Sequence, residues 1–179
     1  MRNGRLSDIG QGWLKNLLGT YMSDPAGFSS DAGSLADAET DNTVGYCING
    51  IFYTLTADAN IDISAALGKD GATYAPTVLK TGYSRAYVVS VDSAGVYYVT
   101  EGETLTNADY TTAALAAADI LKNHLPDVHI VSSSQVETDV CPIGCVIVHN
   151  ASVGDFTFGT TLMDVANVTD TWYDFSRMP

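Results

Sequence analysis

Cys141, Cys145 and His149 are where this chain could first do chemistry, because thiolates and imidazoles bind zinc and paired thiols exchange disulfides. In Cys141-Pro-Ile-Gly-Cys145 three residues separate the thiols, one more than in a thioredoxin-type pair. Drawn as an extended strand, the segment puts both thiols on one face about two pleats apart, too far for an easy disulfide. With Cys47, His124 and His129 the chain offers three cysteines and three histidines, in spacings that match no established four-ligand zinc site. The reading is reduced, structural cysteines and ordinary histidines, with no metal and no cofactor.

The other chemistries fare no better. Gly45, Gly50, Gly68, Gly71 and Gly82 never assemble into GxGxxG or GxxxxGK[ST], so they serve turns and not a phosphate cradle. GxSxG is missing, and Asp139 or Asp155 could serve His149 only if folding brought them together. Among 21 acidic residues no pair is singled out for glycoside hydrolysis, and Trp172-Tyr173 alone makes no sugar platform. The aspartates of Ser23–Thr43 lack the register of an EF-hand loop. No catalytic residue is assigned, and the chain reads as a non-enzyme.

What could position any of these residues is a sheet with one helix. The run Arg85–Leu125 holds two strands, Ala86–Val91 and Val96–Thr100, joined by Asp92-Ser-Ala-Gly95, then a helix over Ala108–His124 that ends against Pro126. Its apolar spacing selects Leu115, Ala118, Leu121 and Leu125 as the covered face. Val44–Ile48 and Ile51–Thr56 flank Asn49-Gly50, the pair that supplies a type I′ hairpin turn. Further strands are expected at Asn60–Ile63, Val128–Ser132, Val140–His149 and Phe156–Phe158, with Tyr74–Leu79 an edge strand or loop because of Pro76. Isolated hairpins with a single strong helix predict an α+β fold: mainly antiparallel β-sheet with one principal covering helix and an N-terminal arm.

At 179 residues one core suffices, and two parts are expected: 1–43 as an amphipathic arm and acidic linker, 44–179 as the compact mainly-β domain. Leu6–Met22 can form a short helix, with Trp13, Leu14, Leu17 and Leu18 as a face for a neighbouring subunit or, alternatively, for its own domain. Ser23–Thr43 reads as an irregular tether with a helical turn at Ser34–Glu39. At the other end, Trp172, Tyr173 and Phe175 are candidate subunit contacts, closure of the chain's own core being the other role. A net charge of −13 with only 8 basic residues argues against direct nucleic-acid binding. No stretch has the length of a membrane span or a signal-peptide core.

The segment CPIGCVIVHNASVGDFTFGTTLMDVANVT resembles a pattern near the carboxyl end of tailed-bacteriophage structural proteins. The matching residues are Pro142-Ile-Gly144, Phe156-Thr-Phe-Gly-Thr-Thr161 and Leu162–Val168. The resemblance implies a virion component, such as a head auxiliary or decoration protein, made in the host cytoplasm. Its partners would then be other phage structural proteins and copies of itself, with no membrane. An acidic soluble adaptor that binds protein or carbohydrate through exposed aromatics stays open as the other class.

Overall fold

The computed structural model describes residues 19–34, 36–128, 130–131, 137–151, 154–165 and 167–175. Its strands are β1 (Tyr21–Met22), β2 (Phe28–Ser30), β3 (Ala38–Thr40), β4 (Val44–Ile48), β5 (Ile51–Leu55), β6 (Asp58–Ile61), β7 (Tyr83–Asp92), β8 (Tyr97–Glu101) and β9 (Leu105–Thr106). Helix α1 (Ala113–Asn123) follows, then β10 (Ile130–Val131), β11 (Glu137–Thr138), β12 (Val140–Asn150) and β13 (Val168–Asp174). The central sheet runs β13-β12-β7-β8, with β9 also beside β7; β1-β4-β5 and β2-β3-β6 form two smaller sheets, and β10 pairs β11. All these strand pairs are antiparallel. The expected α+β architecture, mainly antiparallel with one covering helix, is therefore the one observed.

Strands β7 and β12 are apolar on both faces because both faces are covered. On one side Ala86, Val88, Cys145 and Ile147 pack against Ala117 and Ile120 of α1. On the other, Tyr87, Val89, Cys141, Val146 and Val148 share a larger cluster with Met22, Phe28, Tyr46, Leu79, Phe156 and Phe158. The helix begins later than expected: Asn107–Asp109 is a 3-10 turn, and the Thr112 hydroxyl caps α1 by accepting from Leu115 N at 3.3 Å. Its buried face is Ala116, Ala117 and Ile120, and Leu115 is 54% exposed. Of the face expected from the spacing, Leu121 and Leu125 do pack against the helix-side cluster, whereas Leu115 and Ala118 are exposed and the small Ala116 and Ala117 let the helix sit close to the sheet.

Local turn chemistry holds both hairpins. Asn49 and Gly50 take φ of 51° and 82°, the left-handed pair expected of a type I′ turn between β4 and β5. Between β7 and β8 the Asp92 carboxylate accepts from Ala94 N at 2.8 Å and Val96 N at 3.0 Å.

The two-part division does not hold as expected. Ser23–Thr43 is no tether: β1 pairs with β4, β2 and β3 with β6, and Met22, Ala26, Phe28 and Ala38 are core residues. Within Ser34–Glu39 a single turn closes, Asp37 N donating to Ser34 O at 2.9 Å, and β3 begins at Ala38. The aspartates that suggested a solvated linker close turns instead. Asp31, itself buried, accepts from Gly33 N at 2.6 Å and Asn60 Nδ2 at 2.9 Å, and Asp37 accepts from Ser34 Oγ at 2.7 Å and Ile63 N at 3.0 Å. The compact body thus reaches back at least to β1. Residues 1–18, with Trp13, Leu14, Leu17 and Leu18, lie outside the described residues.

A second correction concerns β12. Its register against β7 gains one residue between Pro142 and Gly144, so Ile143 is extra and the inward alternation switches there. Cys141 consequently joins the larger cluster and Cys145 the helix-side cluster, on opposite faces and not on one.

Val168–Asp174, singled out from the sequence only for its aromatic side chains, forms a full strand, while Phe156–Phe158 makes only a single bridge, Leu79 to Phe156. Trp172 lies edge-on to Phe28 at 5.0 Å on the larger-cluster side, and Tyr173 and Phe175 pack against the helix-side cluster. All three rings are partly buried in the chain's own packing.

Candidate functional site

Buried thiols are poor nucleophiles and ligands, since burial disfavours the thiolate. Cys141 and Cys145 are fully enclosed, and burial pushes each up to about 12. Among the described residues no group of three or more His, Cys, Asp or Glu side chains is placed to hold a metal ion.

One Ser–His contact invites comparison with a hydrolase dyad. Ser84 Oγ lies 2.9 Å from His149 Nδ1, but it donates its single proton to Asn107 Oδ1 at 2.6 Å, and Asn107 Nδ2 in turn donates to Asn150 O at 2.9 Å. The histidine must therefore supply the proton to Ser84, which is the reverse of a base activating a nucleophile. Ser84 is also fully buried, beyond a substrate's reach. Asp155 pairs with Lys80 at 2.6 Å and Asp139 accepts from Asn49, so neither carboxylate completes a triad. Burial holds His149 below its ordinary value of 6.5, so it stays neutral in the fold while the unfolded chain takes up a proton. Stability is expected to fall as pH drops below 6.5, and His149→Gln should flatten that part of a urea-midpoint against pH curve; an unchanged curve would exclude His149 as its source.

A shallow cavity of about 310 Å³ opens beside β8, lined by Lys69, Asp70, Tyr74 and Glu101 among others. Both of its carboxylates are engaged: Asp70 Oδ1 accepts from Ala72 N at 3.0 Å, and Glu101 is held more fully. Glu101 Oε1 accepts from Tyr74 OH at 2.6 Å and Thr77 N at 2.8 Å, and Oε2 pairs with Arg85 at 2.7 Å. The group holds the 74–77 loop onto the sheet, with both lone pairs of Oε1 engaged and Oε2 held against the Arg85 guanidinium.

The surface feature that internal packing does not explain lies on the β4–β5 hairpin. Among the described residues β5 is the outer strand of its sheet, and Ile51 and Phe52 at its start are 58% and 61% exposed. The hairpin positions them: Tyr46 and Tyr53 stack at 5.4 Å on the inner face, and on the outer face Tyr21 of β1, Cys47 of β4 and Phe52 of β5 lie in one cross-strand row. Tyr21 meets Phe52 edge-on at 6.3 Å. An open strand edge bearing large apolar side chains is a ready template for another chain. The sequence reading took these residues only as a hairpin; the adjacency of Ile51 and Phe52, with Tyr53 following, is the signal that the outer face also carries a large ring.

No family model, curated protein or solved structure matches this chain. Its function must be argued from its own surface. Among the described residues no helix is long and apolar enough to cross a membrane.

Proposed function

We propose that this chain is a non-enzymatic structural protein of a tailed-phage virion, in the manner of a head auxiliary or decoration protein, that contacts copies of itself and other phage structural proteins. The assembly part of the reading is carried by one observation, the open β5 edge with Ile51 and Phe52 facing solvent. The virion part rests on the resemblance of Pro142-Ile-Gly144 and Phe156–Val168 to phage structural proteins. An acidic body with few cations suits a protein-facing role better than a nucleic-acid-facing one.

Native mass spectrometry of the full chain should show species above the 18.9 kDa monomer. Phe52→Lys should return it to monomer with unchanged circular dichroism and melting, because residue 52 has little internal packing to lose and a lysine on an open edge opposes pairing. Co-sedimentation with phage particles tests the virion assignment. A discrete wild-type monomer with saturable glycan binding would replace this reading with the adaptor.

A further inference from the structure

Asn-Gly is the residue pair best suited to spontaneous ring closure, because glycine puts no side chain in the way of its own amide nitrogen. The chain holds two such pairs, Asn3-Gly4 outside the described residues and Asn49-Gly50 at the β4–β5 turn. In the reaction the Gly50 nitrogen attacks Asn49 Cγ. A C–N bond forms, the Cγ–Nδ2 bond breaks, and the side-chain nitrogen leaves as ammonia with the proton that Gly50 N gave up. Water then opens the succinimide at either carbonyl, leaving aspartate or, with the backbone rerouted through the side chain, isoaspartate. Both residues are only half-buried, so water and hydroxide reach them.

The folded turn opposes each part of that step. Ring closure swings the Gly50 nitrogen to the Cβ side of residue 49, whereas a type I′ turn, with φ of 51° and 82° here, holds it on the other side. Atoms kept out of an aligned near-attack geometry gain none of the advantage of being neighbours. The same nitrogen is engaged, donating to Gly19 O at 3.3 Å. So is the leaving group: Asn49 Nδ2 donates to Asp139 Oδ2, while Asn49 N donates to Thr20 Oγ1 at 3.3 Å. Residues 19–20 and Asp139, both far away in the chain, thus pin one turn.

Once made, the product does not fit the same clamp. Aspartate at position 49 turns a donor–acceptor contact with Asp139 into two carboxylates facing each other, in a chain whose net charge is already −13. Isoaspartate lengthens the two-residue loop by one backbone carbon, which breaks the match between the turn and the Ile48↔Ile51 register.

We propose that Asn49 is a modification site gated by the fold. It stays an amide while Gly19, Thr20 and Asp139 hold the turn, converts to aspartate and isoaspartate when the turn opens, and does not then reclose as before. Nothing in this chemistry depends on self-association.

The test incubates the full chain at mildly alkaline pH, folded and in denaturing urea. Cleavage at Lys15 and Lys69 releases the Asn49-Gly50 peptide apart from Asn3-Gly4, and liquid chromatography with mass spectrometry separates amide, aspartate and isoaspartate. Conversion should be about a hundredfold slower in the folded chain than in urea, since the turn must open first. Asp139→Ala, which frees the Asn49 amide, should speed folded-state conversion about fivefold and leave the rate in urea unchanged. Asn49→Asp, the aspartate product, should lower the urea midpoint, and the same change should cost less in the Asp139→Ala background. Equal wild-type rates in the folded chain and in urea would overturn the gating. Asp139→Ala converting at the wild-type folded rate would overturn the clamp, as would an equal cost of Asn49→Asp in both backgrounds. Circular dichroism confirms that the variants fold; if Asp139→Ala does not, the wild-type comparison of folded and urea rates decides alone.

Discussion

Replacing Gly144 with alanine is expected to lower stability by about 3 kcal/mol, read as a shifted urea midpoint at unchanged slope. A Cβ at this position would lie 2.4 Å from Tyr173 O and 2.5 Å from Phe28 Cδ1. Real carbon contacts do not come so close, so something must move. The carbonyl belongs to the strand paired with β12, and displacing it disturbs the ladder that runs from Gly144↔Asp174 to Asn150↔Val168. The ring is no freer, because Phe28 is buried against Trp172. Phe28→Leu combined with Gly144→Ala should cost less than the sum of the two single changes, since one obstacle is removed while the carbonyl stays. A loss below about 0.5 kcal/mol for Gly144→Ala, the size of an ordinary surface change, would show that β12 and β13 separate easily.

Glu101→Gln should be of similar size, about 3 to 5 kcal/mol. Arg85 is only 7% exposed, and its guanidinium donates to Glu101 Oε2 at 2.7 Å, to Thr77 O at 3.1 Å and to Thr104 Oγ1. On the other carboxylate oxygen, Tyr74 OH and Thr77 N donate. Both oxygens of Glu101 thus face donors. Glutamine keeps one acceptor and turns an N–H₂ towards either the arginine or the Tyr74–Thr77 pair, leaving a buried cation uncompensated and a donor facing donors. Because the pair is shielded, added salt should change the loss little, in contrast to the exposed Lys80–Asp155 pair. Arg85→Met with Glu101→Leu should recover much of the loss, since removing both charges also removes the cost of burying them. A single-variant loss below about 1 kcal/mol would place the pair with ordinary surface contacts.

Strand and turn chemistry that is local could be read from the residues. Asn49-Gly50 and Asp92–Gly95 fix two hairpins through their own backbone preferences, and the doubly apolar β12 announced a covered strand. What failed was non-local. The short strands β1 to β3 gain their order from β4 and β6, and a segment such as Ser23–Thr43, rich in Asp, Ser and Gly, looks the same whether its aspartates meet water or close turns. The side exchange at Ile143 depends on β7 pairing with β12 on both sides of the extra residue, which no alternation pattern records. Helix α1 was found and half of its covered face with it: Leu121 and Leu125 pack on the sheet side, whereas Leu115 and Ala118 are exposed and Ala116, Ala117 and Ile120 fill the buried stripe. Of the candidate interface, Ile51 and Phe52 could be recognised only once the strand order showed which edge has no partner among the described residues.

The meeting of β2 with β13 also constrains how the molecule can be made. Phe28 N donates to Asp174 Oδ1 at 3.0 Å, a hydrogen bond between residues 146 positions apart, and Phe28 and Trp172 close the core at the same place. During synthesis the first strands therefore leave the ribosome long before their last partner exists. The hairpins β4–β5 and β7–β8 can close at once, within microseconds once their residues are free. The central sheet cannot, because β12 waits for its residues to emerge and β13 comes after it. Loop-closure entropy over such separations makes this a slow-folding topology, and Phe28 lacks its Trp172 partner until β13 has been synthesised. Completion of the fold is thus coupled to the synthesis of β13, so a product truncated before β13 would present the Phe28 ring and the Gly144 side of β12 as unprotected, aggregation-prone surface.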